Sequence, residues 1–184
     1  DLRPSMNGSG NNPGQTYMWY TGEAVYQFGH GLFYTTFEEK AAGNMSHSIN
    51  ITNFFAQPHS GYEFIEQKPL LTFTAQVSNT GSAASDYSAM LFASTTSGPT
   101  PRPIKWLVGI TREAEIAPGG ACTVAIDVPV GALARAADNG DLVVYPGDYE
   151  LALNNERSVV VKFTLTGDAI TIAHWPSKVE TGGA

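Results

Sequence analysis

Leu71-Thr72-Phe73-Thr74-Ala75-Gln76-Val77-Ser78-Asn79-Thr80-Gly81-Ser82 decides the fold class. Leu71, Phe73, Ala75 and Val77 fall on one side of an extended chain, and Thr72, Thr74, Gln76 and Ser78 on the other. That two-residue period belongs to a strand with one face on a core and one in water. Asn79 to Ser82 has the residue types of a turn. The pattern repeats downstream. Asp86 to Ser94 is apolar on both faces, with Tyr87, Ala89 and Leu91 set against Met90 and Phe92, as suits a strand in the middle of a sheet. A proline-broken loop, Gly98 to Pro103, leads into Ile104, Trp106, Val108 and Ile110, all expected on one face. Pro118-Gly119-Gly120 turns into Cys122, Val124, Ile126 and Val128. Gly131 to Ala137 reads as a helical turn and Leu142 to Tyr145 as a short strand. Pro146-Gly147-Asp148 then turns into Tyr149, Leu151 and Leu153, and Asn154-Asn155 into Val159, Val161, Phe163 and Leu165. The tail from Gly167 holds Ile170, Ile172 and Trp175-Pro176.

About seven short strands separated by Gly, Pro and Asn turns define an all-β sandwich of fibronectin type III or immunoglobulin-like topology. Tyr149 stands where a tyrosine corner is expected. The single cysteine, Cys122, rules out a true immunoglobulin Cys…Trp…Cys pattern and any internal disulfide. Its place in an alternating strand makes it a buried thiol rather than a nucleophile.

Upstream the grammar changes. Residues 1–16 are rich in Gly, Asn and Pro and read as loop. Tyr17 to Phe37 then carries nine ring side chains in twenty-one positions: Tyr17, Trp19, Tyr20, Tyr26, Phe28, His30, Phe33, Tyr34 and Phe37. Gly22, Gly29 and Gly31 break it into extended pieces with tight turns rather than a helix. Left bare, so many rings would form a large apolar patch, so this stretch must cover something or be covered. Tyr34 to Lys40 begins a strand, Ser46 to Asn53 continues in β alternation through Ile49 and Ile51, and Phe54 to Lys68 reads as a loop.

The chain has 184 residues, 42% of them hydrophobic and 15% charged, with a net charge of −7. The acidic balance argues against nucleic-acid binding, and no apolar run reaches the length of a membrane span. Asp1-Leu2-Arg3-Pro4 reads as the interior of a longer sequence, with no leader. Three Asn-x-Ser/Thr sequons, at Asn7, Asn44 and Asn50, favour a glycosylated, secreted protein.

No catalytic signature is present. Asp86, Glu113, Asp127 and Asp148 are expected at strand ends or solvated turns rather than as a paired acid and nucleophile. His30, His47, His59 and His174 lack metal-ligand spacing. There is no Gly-x-Ser-x-Gly elbow and no phosphate-binding glycine loop. Catalytic, cofactor-binding and metal-binding residues are therefore expected to be none.

Asn12-Pro13-Gly14-Gln15-Thr16-Tyr17-Met18-Trp19-Tyr20, followed by Val25-Tyr26-Gln27-Phe28-Gly29-His30-Gly31-Leu32-Phe33-Tyr34-Thr35-Thr36-Phe37, resembles a junction in glycoside hydrolase family 3. In that family such a segment leads from an α/β sandwich into a C-terminal fibronectin type III-like domain. Leu71 to Thr80 and Tyr145-Pro146-Gly147-Asp148-Tyr149 also resemble segments of that domain, so the resemblance spans nearly the whole chain. His30 and Trp19-Tyr20-Thr21-Gly22 most resemble fungal β-xylosidases.

The resemblance implies residues 1–33 as the tail of an α/β domain plus an interdomain strap, and residues 34–184 as the fibronectin type III-like domain with a C-terminal tail. It implies a secreted, extracellular, retaining exo-β-xylosidase acting on xylo-oligosaccharides, whose nucleophilic Asp and acid/base Glu belong to domains outside this chain. The partners would be those catalytic domains, in the same precursor or a companion chain. β-Glucosidase and arabinofuranosidase remain alternative parent activities. Two roles stay open for the chain itself. One is a structural domain that buttresses the catalytic domains through the nine rings; the other is a carbohydrate- or cell-wall-binding module using Trp19, Trp106 or Trp175. A third, that the loop Asn11 to Gly22 edges the parent's active site, is held beside them.

Overall fold

A computed structural model describes residues 2–5, 11–43, 46–58 and 60–176. The sequence pattern at Leu71 to Asn79 is realised in β3, Pro69–Asn79, which buries Phe73, Ala75 and Val77 and turns Thr72 and Gln76 to solvent. β3 lies between β1, Phe37–Ala41, and β6, Ala121–Pro129, both antiparallel to it.

Facing this sheet is a five-stranded one. Its strands in sequence order are β2, Ser46–Asn50; β4, Ser85–Thr95; β5, Trp106–Ile116; β9, Gly147–Leu153; and β10, Val160–Thr166. They lie side by side as β2-β10-β9-β4-β5, with β2 parallel to β10 and every other pairing antiparallel. A small third sheet joins β7, Arg135–Ala136, β8, Leu142–Val144, and β11, Ile170–Ala173. The inward residues of the two larger sheets form one cluster, including Phe73, Val124, Tyr87, Leu91, Leu151 and Phe163. This is a β-sandwich.

Tyr149 makes the expected corner: its buried ring stacks on Phe163 and its hydroxyl donates to the Tyr145 carbonyl at 2.8 Å. Trp106 is buried too, its indole N–H donating to the Ala132 carbonyl at 2.7 Å.

Several elements depart from the sequence reading. There are eleven strands among the described residues rather than about seven, because β1, β2, β7 and β11 are short edge additions. Thr16–Trp19 forms a four-residue helix, α1, where extended backbone was expected. Residues 51–56 are helical (α2, Ile51–Ala56), not a continuation of β2. Asn50 caps that helix by accepting the Asn53 N–H at 2.8 Å. Ile51, Phe54 and Phe55 lie at the helical spacing that turns all three toward the core. Lys68 closes the other end, donating to the Phe54 and Gln57 carbonyls. The helical turn expected over Gly131 to Ala137 is a 3-10 turn at Val130–Leu133 followed by β7. Cys122 lies near the open start of β6 and is half-buried rather than fully so; that burial still pushes its thiol up, away from the reactive thiolate.

Ile110 does not share a face with Trp106 and Val108; it is 60% exposed. Leu91 pairs with Gly109 but Phe92 with Leu107, so Val108 is an extra residue that reverses the alternation of β5. A second irregularity, between the pairs Tyr87–Glu113 and Ser85–Ile116, restores it and returns Ile116 to the core. Glu115, within that irregularity, takes a φ of 50°.

Candidate functional site

The nine-ring stretch packs against β4 at two residues, Phe92 and Tyr87, and opens with α1. That turn is pinned from both sides: Ile104 N–H donates to the Met18 carbonyl at 2.8 Å, and Leu107 N–H to the Tyr17 hydroxyl at 3.1 Å. Gly14, at φ 86°, passes so close to the Trp19 carbonyl that a Cβ would sit 2.2 Å from its oxygen.

From Tyr20 to Tyr34 every residue is exposed, yet the segment is held at two points. In the first, the Tyr17 and Phe28 rings stack at 4.2 Å, and both meet Phe92 edge-on. Asn155 donates to the Phe28 carbonyl at 3.0 Å and accepts from Lys105 at 2.6 Å, while the Lys105 ammonium lies over the Phe92 ring. Gly29 makes close approach possible, since a Cβ there would lie 2.7 Å from Met90 Sδ. Phe92 faces away from the sandwich core and is 2% exposed, because the strap covers it.

In the second, Phe33 stacks on Tyr87 at 5.7 Å, and Phe37 meets both rings edge-on. Thr35 and Thr36 close it with hydrogen bonds to Asn79 and Thr80. Beneath lies a polar cluster. Glu39 accepts from the Tyr87 hydroxyl, from Ser158 and from Asn154. Asn154 also donates to the Tyr87 hydroxyl at 2.9 Å and accepts the Met90 N–H at 2.9 Å. Burial, and then the Glu39 carboxylate, push the Tyr87 phenol far above its ordinary range, so it stays a donor. Strap and cluster wall a groove of about 1080 Å³.

The nine candidate residues therefore divide. Tyr17, Phe28, Phe33 and Phe37 pack onto the sandwich's own β4, through Phe92 and Tyr87. Trp19 is half-buried beside a cleft of about 600 Å³ shared with Trp106 and Tyr145. Tyr20 lies over Gly22, and Tyr26 and His30 pair at 5.3 Å in solvent. Tyr34 is 92% exposed. Two aliphatic neighbours are as bare, Val25 at 92% and Leu32 at 88%, and reading rings alone missed them. Their presence in a glycine-broken, ring-rich run was the available signal.

Among the possible sugar platforms, Trp106 is buried in the core, whereas Trp175 is exposed at the edge of the third sheet. Asn50 is exposed; Asn7 and Asn44 lie outside the described residues. Asp86 and Asp148 lie at the starts of β4 and β9, as expected of strand-end residues, whereas Glu113 and Asp127 lie within β5 and β6. Asp127 and Asp148 are exposed, and Glu113, opposite core-facing Tyr87, is half-buried. Among the described residues no group of three or more His, Cys, Asp or Glu side chains is placed to hold a metal ion, and no helix is long and apolar enough to cross a membrane.

Three carboxylates are held below their ordinary values, 3.8 for the aspartates and 4.5 for the glutamate. Asp86 accepts from the Glu115 N–H and from Arg112, Asp141 from the Trp175 N–H and from His174, and Glu150 from Arg157. A carboxylate with a lowered folded pKa stabilises above its unfolded value and loses that contribution as pH falls through the folded one. The urea midpoint is accordingly expected to be flat from about pH 7 to about pH 5 and to fall below about pH 4. Asp86→Asn combined with Asp141→Asn should make that fall shallower in a pH series of urea melts.

Comparison with known proteins gives the class first. Residues 88–157, from within β4 to the turn after β9, match the fibronectin type III-like domain. The chain is 54% identical over 176 residues to exo-1,4-β-xylosidase XlnD of Emericella nidulans, and 52% identical over 182 residues to that of Aspergillus oryzae. These matches cover 96% and 97% of this chain but 22% of each relative, so the chain spans about a fifth of the length of the curated proteins it matches. It superimposes on a solved glycoside hydrolase family 3 exo-β-xylosidase, bound to a xylobiose aziridine probe, with a TM-score of 0.92 and 53% identity over 98% of this chain and 23% of that one. β-Glucosidase 3B of Thermotoga neapolitana shares the fold at a TM-score of 0.60 and 22% identity, over 81% of this chain and 18% of its own. The chain belongs with the C-terminal parts of the fungal glycoside hydrolase family 3 exo-β-xylosidases.

Proposed function

We propose that this chain is the non-catalytic C-terminal part of a secreted, retaining exo-β-xylosidase, and that its strap fixes the sandwich to the catalytic domains. The carrying observation is the bare apolar row Val25, Tyr26, Leu32 and Tyr34, exposed at 92, 74, 88 and 92%. These four sit on a segment pegged to the sandwich at both ends, so they are presented rather than loose. Burying them removes apolar surface worth about 25 cal/mol per Å². The 53% identity to an exo-β-xylosidase, against 22% to a β-glucosidase, supports xylo-oligosaccharides as the parent's substrate.

Replacing Val25, Tyr26, Leu32 and Tyr34 together by serine in the full-length enzyme is expected to lower its melting temperature and its activity. The same change in the isolated chain should leave the sandwich's own melt nearly unchanged and abolish binding of a hydrophobic dye. An unaffected full-length enzyme would sink the buttress reading. The binding-module reading retains one bare indole, Trp175; retention on insoluble xylan that disappears in Trp175→Ala would favour it.

A further inference from the structure

Asn50 sits at the last position of β2, the outermost strand of the five-stranded sheet, which among the described residues pairs on one side only, with β10. An open edge of this kind offers unpaired N–H and C=O groups to other chains. β2 is a short, five-residue edge strand that contains no proline, lysine, arginine, aspartate or glutamate, so its length is its own protection against pairing and a cover at its end would add to it.

The side chain of Asn50 is divided in its use. Its Oδ1 accepts the Asn53 N–H and so caps α2, while no hydrogen bond from Nδ2 is found among the described residues. Thr52, the hydroxyl residue of Asn50-Ile51-Thr52, is exposed beside it. Both groups face Gly167, whose φ is 96°. A Cβ at that position would lie 3.1 Å from Thr52 Oγ1 and 3.6 Å from Asn50 Nδ2. Asn50 is exposed beside this turn, which follows β10. The intervening Ile51 is buried, which fixes the sequon's orientation in the folded chain.

We propose that Asn50 carries an N-linked glycan that shields the open edge of β2. The donor is a lipid-linked oligosaccharide diphosphate of the secretory route. The bond from the anomeric carbon to the diphosphate oxygen breaks, a bond from that carbon to Asn50 Nδ2 forms, one amide proton is lost, and the lipid diphosphate leaves. Oδ1 takes no part and still caps α2. The inference rests on the secretion put forward above.

The test is mass spectrometry of the Asn50 peptide from the full-length secreted protein, before and after an amidase that converts a glycosylated asparagine to aspartate. Occupancy is expected in the wild type and in Thr52→Ser, and its loss in Thr52→Ala and Asn50→Asp, both of which keep an oxygen acceptor at the cap. Light scattering on mild heating should show several-fold faster association of the two unglycosylated variants. A bare Asn50 beside an occupied Asn7 or Asn44 overturns this proposal alone. Three bare sequons overturn the secreted reading with it. Unchanged association in both variants overturns the shielding role.

Discussion

Asn79→Leu is expected to destabilise the domain by about 3–5 kcal/mol, a large share of the ordinary stability of a domain. Asn79 is buried at the end of β3 and uses its whole amide. Its Nδ2 donates to the Ala83 and Ile116 carbonyls, each at 2.8 Å, and its Oδ1 accepts from Thr35 Oγ1 at 2.7 Å and Gly81 N–H at 3.0 Å. Its backbone is engaged as well, accepting from the Gly119 N–H and donating to the Gly120 carbonyl. One side chain therefore joins the end of the strap, the 79–83 turn and the end of β5. Leucine fills the space but strands two carbonyls and an N–H with no partner, and an unmade buried bond costs more than a made one contributes. The measurement is a urea melt, with the midpoint lowered and the slope unchanged. Thr35→Ala, which removes one of the four bonds, should cost about 1 kcal/mol. A loss for Asn79→Leu no greater than that for Thr35→Ala would show that the amide is not a hub.

The turn at Asn79 was legible in the sequence; the hub was not. Asn-Thr-Gly-Ser announces a change of direction, but Thr35 and Ile116 reach it from 44 and 37 positions away. β3 was legible for the opposite reason: its alternation is local, and one face simply meets the core. β5 was legible only as far as Val108, because the bulge that turns Ile110 outward is set by pairing with β4. Residues 46–56 were misread because Ile49 and Ile51 fit a two-residue period, while Ile51, Phe54 and Phe55 fit a helical one. The Asn50 cap decides between them. In the strap, the density of rings showed that cover was needed. Which rings face inward depends on Tyr87 and Phe92 of β4, far downstream of the rings they hold.

Phe92→Ala tests that division, and the expected result is release of one end of the strap rather than uniform loss of the fold. Truncating a buried phenylalanine costs about 3–5 kcal/mol where its surroundings are rigid. Phe92, however, is buried by a covering segment and not by the opposite sheet. The cost falls on the strap: Tyr17 and Phe28 lose their common seat, and Lys105 loses the ring beneath its ammonium. Hydrogen exchange should quicken at Leu107 N–H and Ile104 N–H, whose acceptors are Tyr17 Oη and the Met18 carbonyl. The amides of β3 and β6 should keep their protection, since the core cluster they belong to does not include Phe92. Phe33, seated on Tyr87, should hold the second end in place. Faster exchange spread evenly through β3 and β6 would mean that Phe92 supports the core after all. Local release, by contrast, would leave Val25, Tyr26 and Leu32 tethered at one end only, and under the proposed buttress role the full-length enzyme carrying Phe92→Ala should then lose stability.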